Sequence, residues 1–397
     1  MRIISLFFVG VMSLLMLQAQ EPAMTVNFLE EENWAQAREL AAEQDKFIFV
    51  DAYTEWCGWC KVQDKNTFTN EDVGNLINEN FVSVKLDFER GDGVKLARKY
   101  RIQSYPTLLF FTSDGRYVGK KVGYDADIDN FMSDVMDKMK PENYFPEIGD
   151  PDVLDPGFPE FYVSQFGPNG ERTRAKPEQI SEWLDGQENI YSEVPYNILM
   201  TMQLDEKWSQ FFLDNHKALA EKFIASEVQD KLTNVLVSGA YAAMRNKDEG
   251  ALDAAFAKME KYLPAEEVEN IATNLRINFY MMSKDYDKLI PIMNKLAARE
   301  DGNYDNTINS IAWNLYEGSD DQMTLKTASK WMYTVMDRNP ENYMFMDTHA
   351  ALLYKTGSYA QAKEAAAKAI QIGKSDGEDV SGTEELLKKI TSAMTER

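Results

Sequence analysis

Apolar and polar positions change period several times along this chain, and each change marks a predicted element. Residues 33–44 place Trp34, Ala37, Leu40 and Ala41 at helical spacing. Phe47 to Tyr53 is apolar except for Asp51, the pattern of a strand buried on both faces. Lys61 to Asn66 continues as helix, and Thr69 is the expected N-cap of a helix over 70–80 with Val73, Leu76 and Ile77 on one face. Phe81 to Phe88 alternates as a second strand, and Val94 to Tyr100 forms a short amphipathic helix. A third apolar run follows Pro106, Asp114-Gly115 signals a hairpin into Arg116 to Val122, and Asp125 to Lys140 reads as a closing helix. Strands alternating with helices and ending in a hairpin plus helix predict a small α/β domain.

The texture then changes twice. Eight of the thirteen prolines lie between Pro141 and Pro195, which allows only short helices, expected at Pro159 to Phe166 and Pro177 to Leu184. From Tyr196 onward the spacing is helical throughout. Within it, Tyr343 to Asp376 carries Ala350, Gly357, Tyr359, Ala362 and Ala369, and Ala328 aligns with Ala362 in an upstream unit of equal length. Small residues at close contacts and a Gly-x-Tyr turn between helices resemble a tetratricopeptide repeat. The expected architecture is an α/β domain followed by an all-α, solenoid-like helical repeat. Its boundaries fall at 21–142 for the α/β domain, 143–195 for a Pro-rich linker and 196–397 for the repeats.

Composition narrows the setting. The chain has 397 residues with 44 % hydrophobic and 27 % charged, ordinary globular usage. Lys plus Arg at 42 against Asp plus Glu at 65 gives −23, a surface that repels phosphate backbones, so no nucleic-acid partner is expected. Residues 1–20 read as a signal peptide: Arg2, an almost unbroken apolar run from Ile3 to Leu17, then Ala19 for cleavage, with a retained N-terminal anchor as the alternative. Export places the mature chain in an oxidising compartment, expected to be a bacterial periplasm.

Against that setting the two cysteines are informative. Both fall in Asp51 to Cys60, DAYTEWCGWC, directly after the predicted first strand. A bridge over two residues closes a tiny loop and makes a poor structural staple. Zinc needs four ligands, and beyond Cys57 and Cys60 the chain offers only His216 and His349, read as packing or surface residues. Neither a metal nor a cofactor is expected. A redox pair remains. Cys57 at a helix N-terminus favours the attacking thiolate, and Cys60, one turn further and expected to be more buried, resolves the mixed disulfide.

Trp56-Cys57-Gly58-Trp59-Cys60, Asp51 six residues before Cys57, and Ser104-Tyr105-Pro106-Thr107 together resemble the thioredoxin superfamily in its exported thiol-disulfide oxidoreductase form. The resemblance implies a cis Pro106, a Tyr105 backbone that pairs with an extended substrate, and Asp51 as a buried acid relaying a proton to and from the resolving thiol. The plain alternative for Asp51 is the solvent-exposed start of a loop. Trp56 and Trp59 read either as a hydrophobic substrate lip or as packing. Gly58-Trp59 stands where the thioredoxin pattern has Gly-Pro, and the strand lysine near the family's acid has no clear counterpart, though Lys85 occupies a neighbouring strand position. The expected activity is disulfide exchange with protein substrates, as a reductase or isomerase. A membrane-bound electron donor would recharge it, and the helical repeats would bind a client or partner. A redox-independent, chaperone-like scaffold is the alternative.

Overall fold

The computed structural model describes residues 25–29, 33–146, 148–168 and 171–395. The expected signal peptide, residues 1–20, lies outside them. Contacts divide the chain between Val235 and Leu236.

The first unit is built on a four-stranded sheet of order β2-β1-β3-β4, made by β1 (Phe47–Tyr53), β2 (Phe81–Asp87), β3 (Thr107–Phe111) and β4 (Tyr117–Val122). Strand β1 is central, parallel to β2 and antiparallel to β3, and its middle five residues are buried. Helices α1 (Trp34–Gln44), α2 (Gly58–Asn66), α3 (Glu71–Asn80), α4 (Gly91–Tyr100) and α5 (Ile128–Lys138) accompany it. One apolar core joins Phe49, Phe68, Ile77, Leu108, Phe110, Phe131 and Val135. Each large side chain so enclosed contributes roughly 1.5–3 kcal/mol.

The α3 cap lies one residue later than expected. Asn70, not Thr69, accepts the free amides of Asp72 and Val73, while the Thr69 hydroxyl donates back to the Lys65 carbonyl. Asparagine reaches both amides with one carbonyl oxygen, which explains the preference. Ahead of α1, Phe28 forms an isolated parallel bridge with Ser83 of β2.

Past the 3-10 turn Pro141–Asn143, short helices α6 (Glu160–Val163) and α7 (Pro177–Asp185) precede α8 (Glu193–Thr201), α9 (Glu206–Lys222) and α10 (Ala225–Asn246). The connection is tied to the sheet by buried charge. Lys99 Nζ, fully enclosed, lies 2.7 Å from Glu193 Oε1 and donates to the carbonyls of Asp150 and Val153. Glu227 on α10 receives both Arg101 and Lys120. Composition changes at 142 and 195, whereas the break in contacts comes later.

The second unit is helical: α11 (Glu249–Met259), α12 (Ala265–Ser283), α13 (Tyr286–Ala297), α14 (Asp305–Gly318), α15 (Gln322–Arg338), α16 (Tyr343–Lys355), α17 (Tyr359–Asp376) and α18 (Ser381–Thr395). Alanines 350, 351, 362, 366 and 369 are essentially enclosed between α16 and α17, since small side chains let two helices approach closely. Gly357 turns the chain between them at φ 79°, a conformation that disfavours any Cβ. Ala328 and Ala362, aligned in the sequence, are both fully buried, as expected of a helical repeat region. No helix among the described residues is long and apolar enough to cross a membrane.

Candidate redox site

Strand β1 ends at Tyr53 and the chain turns once before α2, which puts Cys57 at the helix N-cap. Its Sγ accepts the Cys60 amide at 3.0 Å, satisfying one of the donors that a helix start leaves open. Cys57 and Cys60 are joined as a cystine. Both are 3 % exposed, so the expected difference in burial is absent in this oxidised form. The bond holds the two sulfurs side by side, with Cys57 at the cap and Cys60 in the first turn of α2.

Asp51 is 1 % exposed inside β1, which removes the exposed-loop alternative. It faces Lys85 across the β1–β2 pairing, and Lys85 Nζ sits 3.0 Å from Asp51 Oδ2 as an ion pair between the strands. Lys85 also pairs with Asp64 on α2. Burial pushes the Asp51 carboxyl up to about 6, against the pull of Lys85. Burial works against the Lys85 ammonium as well, yet Asp51 and Asp64 outweigh it and hold its pKa above the ordinary value. Lys85, at the neighbouring strand position noted in the sequence, therefore stands directly beside the acid. A parallel register placing residue 51 beside residue 85 cannot be read from either segment alone.

Two aromatic pairs stand next to the cystine. Trp56, 51 % exposed, meets Tyr105 edge-on at 6.0 Å, and Trp59, 62 % exposed, stacks on Tyr124 at 5.7 Å. Tyr105 precedes Pro106, and their peptide bond is cis. Burial raises the Tyr105 phenol to about 12, against the nearby Arg172 guanidinium. Tyr124, Glu89 and Arg172 were not singled out from the sequence: they are ordinary polar or aromatic residues distant from the motif. Trp56 Nε1 donates to Glu89 Oε1 at 3.0 Å, and Arg172 Nη2 reaches the same oxygen at 3.2 Å. Among the described residues no cluster of His, Cys, Asp and Glu could hold a metal ion. His349 is buried against Ser329, and His216 Nδ1 lies 2.7 Å from the Leu213 carbonyl.

A family model described as thioredoxin-like matches residues 30–113. Over 83 residues the chain is 36 % identical to spermatogenesis-associated protein 20 of Rattus norvegicus, covering 21 % of this chain and 10 % of that protein. Over 81 residues it is 35 % identical to the thiol:disulfide interchange protein DsbD of Colwellia psychrerythraea, covering 20 % and 13 %. The chain thus spans only a small part of the length of these relatives. A solution structure of a candidate disulphide-isomerase from Bacteroides thetaiotaomicron is 37 % identical, with 30 % of this chain and 97 % of that one covered at a TM-score of 0.28. With its Cys57–Cys60 pair at the start of α2, the matched segment is a thioredoxin-like domain of the disulfide-oxidoreductase type.

Proposed function

We propose that this chain is an exported thiol-disulfide oxidoreductase of the reductase or isomerase kind, acting on protein disulfides. The observation that carries the reading is Cys57 at the N-cap of α2, its sulfur already accepting the Cys60 amide. When the pair is reduced, that amide and the partial positive charge of the helix start favour the thiolate. Cys57 attacks a substrate disulfide: a bond forms from Cys57 Sγ to one substrate sulfur, and the other leaves as thiolate and takes a proton from water. Cys60 then attacks Cys57 Sγ, restoring the cystine and releasing the second substrate thiol. Asp51, with its carboxyl near pH 6, is the acceptor for the Cys60 proton. Trp56, Trp59, Tyr105 and Pro106 line the substrate side.

Each turnover oxidises the pair, so a reductase in an oxidising compartment needs an electron donor, proposed to be membrane-bound. The relatives named thiol:disulfide interchange protein support exchange with protein thiols. The region from Tyr196, read as tetratricopeptide-like, is proposed to hold a client or partner. A C60S chain should accumulate a mixed disulfide through Cys57, and C57S should not; C57S trapping as much substrate as C60S overturns the reading. Direction rests on Gly58-Trp59, and an equilibrium potential near about −270 mV supports reduction, whereas one near about −120 mV reverses it.

A second reading has its own observation. Between α15, α16 and α17 runs a groove of about 430 Å³, lined by Tyr333, Met336, Met346, Leu353 and Ala365. If the function is redox-independent holding, an alkylated insulin chain binds equally to wild type and C57S/C60S but weakens on Tyr333→Ala.

A further inference from the structure

Trp56 and Tyr105 form the wall beside Cys57, yet the group that fixes them comes from outside the thioredoxin-like segment. Glu89, in the turn after β2, has a side chain only 9 % exposed. Its Oε1 receives Trp56 Nε1 and Arg172 Nη2 together, at 3.0 and 3.2 Å. A carboxylate so enclosed is costly without a cation, and Arg172 supplies it. The same guanidinium stands against Tyr105.

Arg172 is itself held in place. Its Nε donates to the Gly167 carbonyl at 3.0 Å, with Gly167 at φ 122°, where a side chain would be strained. Thr173 N donates to the Ser164 carbonyl at the end of α6, and Gln165 closes back on the Thr173 carbonyl. Tyr162 in α6 is fully buried, stacked on Phe158, and its hydroxyl donates to the Arg98 carbonyl of α4 at 2.7 Å. A continuous set of contacts therefore runs from α4 through α6 to Arg172, Glu89 and Trp56. An indole half exposed to water gains little by packing alone, so its orientation depends on this hydrogen bond.

We propose that Arg172 is a positioning residue for protein substrates: through Glu89 it sets the Trp56–Tyr105 wall on which an extended polypeptide lies beside Cys57. It does not touch the reacting sulfurs. A small disulfide that needs no wall should then be indifferent to Arg172, while a protein disulfide should depend on it. This rests on the thiol-disulfide reading above.

The test compares full-length wild type, R172A and R172K on insulin and on a small aromatic disulfide, with dithiothreitol as donor. For R172A the expected result is a KM for insulin raised about tenfold with kcat within twofold, partial recovery in R172K, and small-disulfide rates within twofold of wild type. Equal losses on both substrates, or none on either, overturn the proposal. If R172A fails to fold, R172Q, which keeps length without charge, gives the same comparison. Wild type inactive on both substrates would defeat the thiol-disulfide reading instead. The Trp56 indole N–H resonance then decides the positioning role: displacement in R172A with return in R172K supports it, and an unmoved resonance overturns it.

Discussion

In the unit that carries the cystine, charged groups are drawn into the interior: Asp51 beside Lys85, Lys99 beside Glu193, and Glu227 between Arg101 and Lys120. In the unit from Leu236, the interface of α16 and α17 is built instead from alanines with Met346 and Leu353, and the unit's buried His349 is held neutral, its pKa pushed down to about 4 by burial. Apolar contact costs nothing to desolvate, whereas a buried ion must be repaid by a partner or by use. Two of the three clusters are repaid by well-placed partners. Asp51 is repaid only in part, because burial outweighs Lys85 and leaves its carboxyl raised to about 6. The difference teaches where to look for chemistry: the α16–α17 interface is packed from small apolar side chains, whereas the first unit keeps a carboxylate in its central strand whose pKa burial raises to about 6.

The sharpest break in this contrast is chemical. Cys57→Ser should lower exchange with a small disulfide by more than about 10³-fold, since the remaining thiol, Cys60, lacks the helix-cap position that favours the thiolate, while unfolding free energy changes by no more than about 2 kcal/mol because the loop is so short. Urea unfolding alongside thiol kinetics checks both. Next come the cores. Phe49→Ala should cost about 3–5 kcal/mol in the unfolding of the sheet unit. Leu352→Ala should cost about 2–4 kcal/mol in the helical unit and leave the rate toward a small disulfide unchanged, which native-state hydrogen exchange together with kinetics would separate.

The last effect is the most specific, because it depends on pH. Asp51 is drawn from 3.8 to about 6 on folding, so between those values the folded chain binds the extra proton. Stability attached to this group is therefore greatest below about pH 4, falls as pH rises, and stays reduced above about 6. Asp51→Asn removes the penalty. It should stabilise the oxidised chain by roughly 3 kcal/mol at pH 8, with the gain fading to nothing near pH 4, and should slow release of the second substrate thiol. A pH-independent difference would mean the carboxylate is fully compensated by Lys85.

Much of this was legible in the sequence because it is local. The period of the apolar positions located the strands and the closing helix, and Asp51, Cys57 and Cys60 lie within ten residues of one another, so a strand and one turn fix their arrangement. Lys85 needed the register of a parallel pairing, which depends on two segments at once. Glu89 and Tyr124 needed the packing around the motif, and Arg172 needed the path of the connection, in which Tyr162 ties α6 to α4. The equal burial of the two sulfurs was missed for another reason: the expectation concerned a free pair, and the bond buries both.

The most direct measurement of the central claim is insulin reduction at neutral pH with dithiothreitol as donor. The account predicts that the full-length chain accelerates it at least about tenfold over dithiothreitol alone, and that Cys57→Ser abolishes the acceleration. A wild-type rate equal to that of dithiothreitol alone, or an undiminished rate in Cys57→Ser, would contradict it.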